Sequence, residues 1–136
     1  MKAICIEKAI TVFKNNSKVN TAYLCGSYAN GTATERSDID FAIVPSKPLS
    51  LLEEMEIQAN LSEELHFENV DLINLYNAPI RLQFNLVSNG KLIFERNREV
   101  TDCYIEKLLK LYHDREYRYR VFNADLEKGL KEDYCQ

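Results

Sequence analysis

Residues 24–40 read Leu24-Cys25-Gly26-Ser27-Tyr28-Ala29-Asn30-Gly31-Thr32-Ala33-Thr34-Glu35-Arg36-Ser37-Asp38-Ile39-Asp40. A β-prone run ends in Gly-Ser, a small and polar spacer follows, and Asp-x-Asp leads into a second apolar run. A strand that ends in Gly26-Ser27 before a short helical turn turns backbone N–H groups outward. With the Ser27 hydroxyl, such groups can hold phosphate oxygens, and Gly26 lets the backbone approach a ligand closely. Taken alone, this half reads as a plain turn. In extended chain Asp38 and Asp40 point to the same side. Two adjacent carboxylates repel, and each raises the other's pKa unless a cation intervenes. Hard divalent ions such as Mg²⁺ take this kind of oxygen donor and complete their shell with substrate phosphates. Taken alone, this half reads as the polar cap of a strand. Together the halves say more, because ten residues separate Ser27 from Asp38 and apolar runs flank both.

Outward from this segment, apolar periodicity marks the elements. Ile6, Ala9, Ile10 and Phe13 predict an amphipathic helix over about 2–14, ended by Asn15-Asn16-Ser17. Val19 to Cys25 reads as a strand, Tyr28 to Ser37 as a turn region around Asn30-Gly31, and Asp40 to Val44 as a buried strand closed by Pro45 and Pro48. Ser50 with Glu53 forms a capping-box pattern. It opens a helix whose inner face is expected at Leu52, Met55 and Ala59, followed by Leu61 and Leu65. Val70 to Ile73 is a third strand. Pro79 starts a helix with Ile80, Phe84 and Val87 inward, Asn89-Gly90 stops it, and Lys91 to Phe94 is a fourth strand. From about Asn97 the chain is helical to near Leu130, with His113-Asp114 the candidate point of interruption. The class is α/β (α+β), a small mixed β-sheet packed by helices, with a C-terminal helical region at about 97–130.

Bulk properties narrow the function. A chain of 136 residues fits one domain over 1–136 with a hydrophobic core of its own. Its 17 basic and 21 acidic residues leave a net charge of -4, which argues against non-specific nucleic-acid binding. Cys5, Cys25, Cys103 and Cys135 form no Cys-x-x-Cys pair, and with only His66 and His113 besides, a zinc site is not indicated. The charged N-terminus does not resemble a signal-peptide core, no run has the ~20 apolar residues of a membrane span, and the free cysteines suit a reducing cytoplasm.

The Gly-Ser, spacer, Asp-x-Asp arrangement resembles the DNA polymerase β-like nucleotidyltransferase superfamily. Within it the chain looks most like the minimal nucleotidyltransferases (MNT) paired with HEPN-domain toxins. Ser37-Asp38-Ile39-Asp40, Val70-Asp71-Leu72 and Gly90-Lys91-Leu92-Ile93-Phe94 occur in the expected order. The resemblance implies Asp38, Asp40 and Asp71 as catalytic residues and ligands of two Mg²⁺ ions, with Mn²⁺ an acceptable substitute. It implies Gly26 and Ser27 at the nucleotide, Ser27 on the β- and γ-phosphates. Asp71 would complete the catalytic metal and aid deprotonation of the nucleophile. Its bland alternative is an edge-strand carboxylate facing water. Asn30 departs from the Arg or Lys of many relatives. Arg36 could supply that charge at the nucleotide, or be a solvent-facing loop residue.

The expected activity is transfer of AMP from ATP to a hydroxyl, a tyrosine by resemblance, of a cognate HEPN toxin. Two alternatives stay open, a binding antitoxin that masks the toxin and a small-molecule transferase acting on an antibiotic. The shortness of the chain after its fourth strand speaks against the last. Tyr112 to Arg120 is either a partner surface or a solvated helix face.

Overall fold

A computed structural model describes residues 6–31 and 38–134; side chains of Asn30 and of 125–134 are not described. The order is α1 (Ile6–Asn15), β1 (Val19–Cys25), α2 (Ser27–Asn30), β2 (Ile39–Pro45), α3 (Leu51–Leu65), β3 (Val70–Asn74), a 3₁₀ turn (Leu75–Asn77), α4 (Ile80–Asn89), β4 (Lys91–Glu95) and α5 (Arg98–Tyr134). The expected start of the first helix at residue 2, Cys5, Cys135 and Arg36 lie outside the described residues.

The four strands form one mixed sheet in the order β3-β2-β1-β4, with β1 antiparallel to both neighbours and β2 parallel to β3. Alternation along the central strands feeds two cores. Phe13 of α1 and Ile57 and Leu61 of α3 pack on Leu24, Ile39, Phe41 and Ile43. On the opposite face Tyr104 and Leu108 of α5 join Tyr23, Ala42, Val44 and Leu75, with Leu86 and Val87 of α4 against them. Helices therefore pack the sheet, as expected from the alternating pattern, and they cover both of its faces.

The capping box of α3 forms in full: the Glu53 N–H donates to Ser50 Oγ, and the Ser50 N–H to Glu53 Oε1, both at 3.2 Å. The expected inner stripe of α3 is corrected. Leu52 and Met55 are 75% and 57% exposed and Ala59 is exposed, while Ile57 and Leu61 are buried. Apolar residues lie on two sides of this helix, so periodicity alone leaves its facing open. Ile57 and Leu61 take the sheet side, and polar bonds flank them: Glu53 pairs with Lys18, and Glu54 accepts from Asn74 and Asn77. The C-terminal helix is also corrected. It runs unbroken from Arg98 to Tyr134, through His113-Asp114. Stacking of Tyr112 on Phe84 at 3.9 Å and the Arg81–Glu116 ion pair tie its middle to α4, where a break would have fallen.

The start of α5 is pinned to β1 by a buried polar knot. Asn20 Nδ2 donates to the Asn97 carbonyl and to Thr101 Oγ1, Asn20 Oδ1 accepts from the Asn97 N–H, and the Thr21 and Thr101 hydroxyls lie 2.7 Å apart. Removing a buried amide leaves its partners desolvated and unpaired. Asn20→Ala should therefore lower stability by about 2 kcal/mol, read as a shifted midpoint in urea with an unchanged slope.

Candidate active site

The site grows from strand register. Antiparallel pairing sets Cys25 opposite Asp40, and parallel pairing sets Asp40 opposite Asp71. Residues opposite each other in a sheet point to one face. Cys25, Asp40 and Asp71 thus make a row across three strands, on the face that α4 and α5 cover further along. Asp40 is half-buried and Asp71 exposed on the edge strand.

This row is electrostatically costly. Burial, the charges of Asp71 and Asp38, and a hydrogen bond with the Asp71 carboxyl all hold the Asp40 pKa above the usual carboxylate value. Burial first, and then the Asp40 charge, push the Cys25 thiol up to about 11, so it stays a neutral, inert neighbour. Asp38, just before β2, is exposed and bears on Asp40 through its charge. Among the described residues no three Asp, Glu, His or Cys side chains close on one point in metal-ligating geometry.

Gly26 completes the wall of this row. It sits at φ 71°, where a side chain is strained, and a Cβ there would lie 2.8 Å from Asp40 Oδ2. Glycine is needed here for conformation and for space at once. Ser27, partly buried, then opens α2, whose far end is closed by Gly31 at φ 78°. Gly26, Ser27, Asp40 and Asp71 are brought together at one rim of the sheet, with Asp38 at its edge.

This geometry has relatives. The chain matches the family Polymerase beta, Nucleotidyltransferase over residues 7–99. It belongs to that nucleotidyltransferase family. The protein adenylyltransferase MntA of Shewanella oneidensis is 28% identical over 113 residues, covering 82% of this chain and 80% of MntA. A Methanocaldococcus jannaschii relative is 32% identical over 116 residues, 84% of this chain and 88% of its own. A solved toxin–antitoxin structure with AMP-PNP superposes with a TM-score of 0.76 at 26% identity, over 91% of this chain and 99% of that one. A Shewanella oneidensis MNT antitoxin, solved with its tri-AMPylated HEPN toxin, shares the fold at a TM-score of 0.68 and 24% identity, over 90% of this chain and 95% of that one. The nucleotidyltransferase fold and enzyme class expected from Gly-Ser and Asp-x-Asp are thus established. Among the described residues no helix is long and apolar enough to cross a membrane.

Sequence reading missed three neighbours of the site. Cys25 beside Asp40 follows only from the β1–β2 register. Asn85 and Asn89 of α4 face a cavity that also touches Gly26, and their i, i+4 spacing just before Gly90 was the available signal.

Because the fold raises the Asp40 pKa, the charged form is disfavoured in the native state. Wild-type stability is then lost as pH rises through the usual carboxylate range and up to the raised native value. Asp40→Asn should gain melting temperature relative to wild type over that rise in metal-free buffer, and show little difference below it. Thermal melts of both proteins across acidic to neutral pH check this.

Proposed function

We propose that this chain transfers AMP from ATP to a hydroxyl, a tyrosine by family resemblance, of a cognate HEPN-domain toxin in the cytoplasm, and so acts as an antitoxin. Residues 1–136 are read as one minimal nucleotidyltransferase domain. The observation that carries the reading is the Asp40–Asp71 pair abutting Gly26, one residue before Ser27. The AMP-PNP complex of one similar protein and the tri-AMPylated toxin partner of another support nucleotide and acceptor.

The donor set fits a hard divalent cation. Asp40 and Asp71 are hard oxygen donors held together at a cost that positive charge would relieve. Mg²⁺ commonly binds through one or two carboxylates and substrate phosphates, so a fully preformed protein cage is not required. Asp38, Asp40 and Asp71 would hold two Mg²⁺ ions, or Mn²⁺, which when bound supply charge neutralisation at the triphosphate. The residues of the chain do the rest. Ser27 holds the β- and γ-phosphates, and Gly26 lets them approach the backbone. Arg36 is a further candidate for phosphate charge. The acceptor oxygen attacks the α-phosphorus, the bond from that phosphorus to the bridging oxygen breaks, and pyrophosphate leaves. The hydroxyl proton departs toward Asp71, whose exposure on the edge strand leaves room for a protein acceptor.

A masking antitoxin is the second reading. It draws on α5, where Tyr117, Tyr119 and Phe122 are 70%, 55% and 65% exposed. The two readings part in one experiment. Purified HEPN partner is incubated with ATP, Mg²⁺ and either wild type or Asp38→Asn/Asp40→Asn, and its intact mass is recorded. Wild type should add AMP units and the double variant none, because a neutral amide ligates Mg²⁺ far more weakly. A variant that binds the toxin yet fails to rescue growth makes transfer the antitoxin activity. Full rescue by that variant would favour masking.

A further inference from the structure

The fold leaves two apolar helix faces in water. One is on α3, where Leu51, Leu52, Met55 and Ala59 are all exposed. Helical spacing puts them on the side away from Ile57 and Leu61, which pack on the sheet. The other is on α5, where Tyr117, Val121 and Phe122 are exposed. They lie on the side away from Tyr112 and Glu116, which meet α4. Single apolar side chains on a surface are ordinary, but grouped ones mark contact sites. Packing of an apolar face also supplies most of a helix's stability, and the outer part of α5 gains it only once covered.

Charge decides what can cover each face. Beside the α3 face, Glu56, Glu63 and Glu64 are exposed and line a groove of about 510 Å³ between α3 and α1. A second α3 laid there would bring acid against acid, and like charges facing across an interface oppose association. The α5 face has the opposite sign. Arg115 and Arg118 lie on the same side as Phe122, two turns and one turn before it, and Arg120 flanks Tyr117; all three are exposed. From His113 to Ala124, Asp114 is the one exposed acid. A second α5 would bring arginine against arginine. The two faces therefore suit each other and not themselves. They cannot meet within one chain, because α3 packs on one face of the sheet and α5 runs unbroken from the other.

We propose that two copies of this chain exchange their C-terminal helices, α5 of each lying on α3 of the other. Tyr117, Val121 and Phe122 then cover Leu51, Leu52 and Met55 of the second copy, and Arg115 and Arg118 face its acid-lined groove. The exchange is reciprocal, so it closes as a two-fold dimer with no open end. One helix contact is small beside the ~1,200–2,000 Å² of a stable interface, and the exchange supplies it twice. This surface is separate from nucleotidyl transfer: α3 packs on the face of the sheet opposite Cys25, the register partner of Asp40.

Sedimentation equilibrium of the full chain alone tests this, on wild type and on two charge reversals at exposed sites. One is Glu56→Lys/Glu63→Lys on α3, and the other is Arg115→Glu/Arg118→Glu on α5. Wild type should have the mass of two chains. Each reversal sets like charges against each other in both contacts and should weaken association at least about tenfold. An equimolar mixture of the two reversals has opposite charges at both contacts and should return to the dimer. Pairing of α3 with α3, or of α5 with α5, would not give that pattern, since one of the reversals would then leave the dimer unchanged. A monomeric wild type would overturn the exchange, whatever the variants do. So would a dimer that either reversal leaves intact, or a mixture that stays monomeric. Loss of HEPN-toxin binding by both reversals of a chain that is monomeric alone would overturn it by giving these faces to the toxin.

Discussion

Two carboxylates held side by side across parallel strands are the constraint on which the rest of this structure turns. Nothing in a sheet requires Asp40 opposite Asp71. Burial disfavours ionisation of Asp40, and the pairing with Asp71 adds to that penalty. Gly26 then allows the Asp40 carboxylate to lie against the β1 turn, where any larger residue would displace it. The proposed divalent cation would relieve this penalty.

The remainder of the fold keeps that row in register. A one-residue slip of β2 would move Asp40 to the α1–α3 face and Ile39 or Phe41 out of the core. Burial of Ile39, Phe41 and Ile43 on one face, with Ala42 and Val44 on the other, forbids it. The knot at Asn20 and the Tyr104–Gln83 hydrogen bond of 2.7 Å hold α5 and α4 on the sheet. These helices close the same face beyond the carboxylates and leave the rim open. From Leu109 to Phe122, Tyr112 on Phe84 apart, α5 carries large apolar side chains in water.

Much of this was legible in the sequence. Each strand lies where β-prone runs placed it, and Gly26, Ser27 and Asp40 converge because Gly-Ser and Asp-x-Asp end and begin adjacent strands, while the parallel pairing of β3 on β2 adds Asp71. What was not legible depends on tertiary choice. The facing of α3 could not be read, because Leu52 and Met55 compete with Ile57 and Leu61, and only packing against the sheet separates the two sets. The continuity of α5 depends on Phe84 and Arg81, the partners of Tyr112 and Glu116, which lie far from them in sequence. The place of Cys25 beside Asp40 needed the register of β1 on β2.

The central claim is that the Asp40–Asp71 pair exists to hold a divalent cation. Mn²⁺ binding followed by electron paramagnetic resonance tests it most directly, on wild type and on Asp71→Asn without nucleotide and with a non-hydrolysable ATP analogue. The account predicts Mn²⁺ bound by wild type, tightened by the analogue, and sharply weakened in Asp71→Asn under both conditions. Equal Mn²⁺ binding by the two proteins would contradict it.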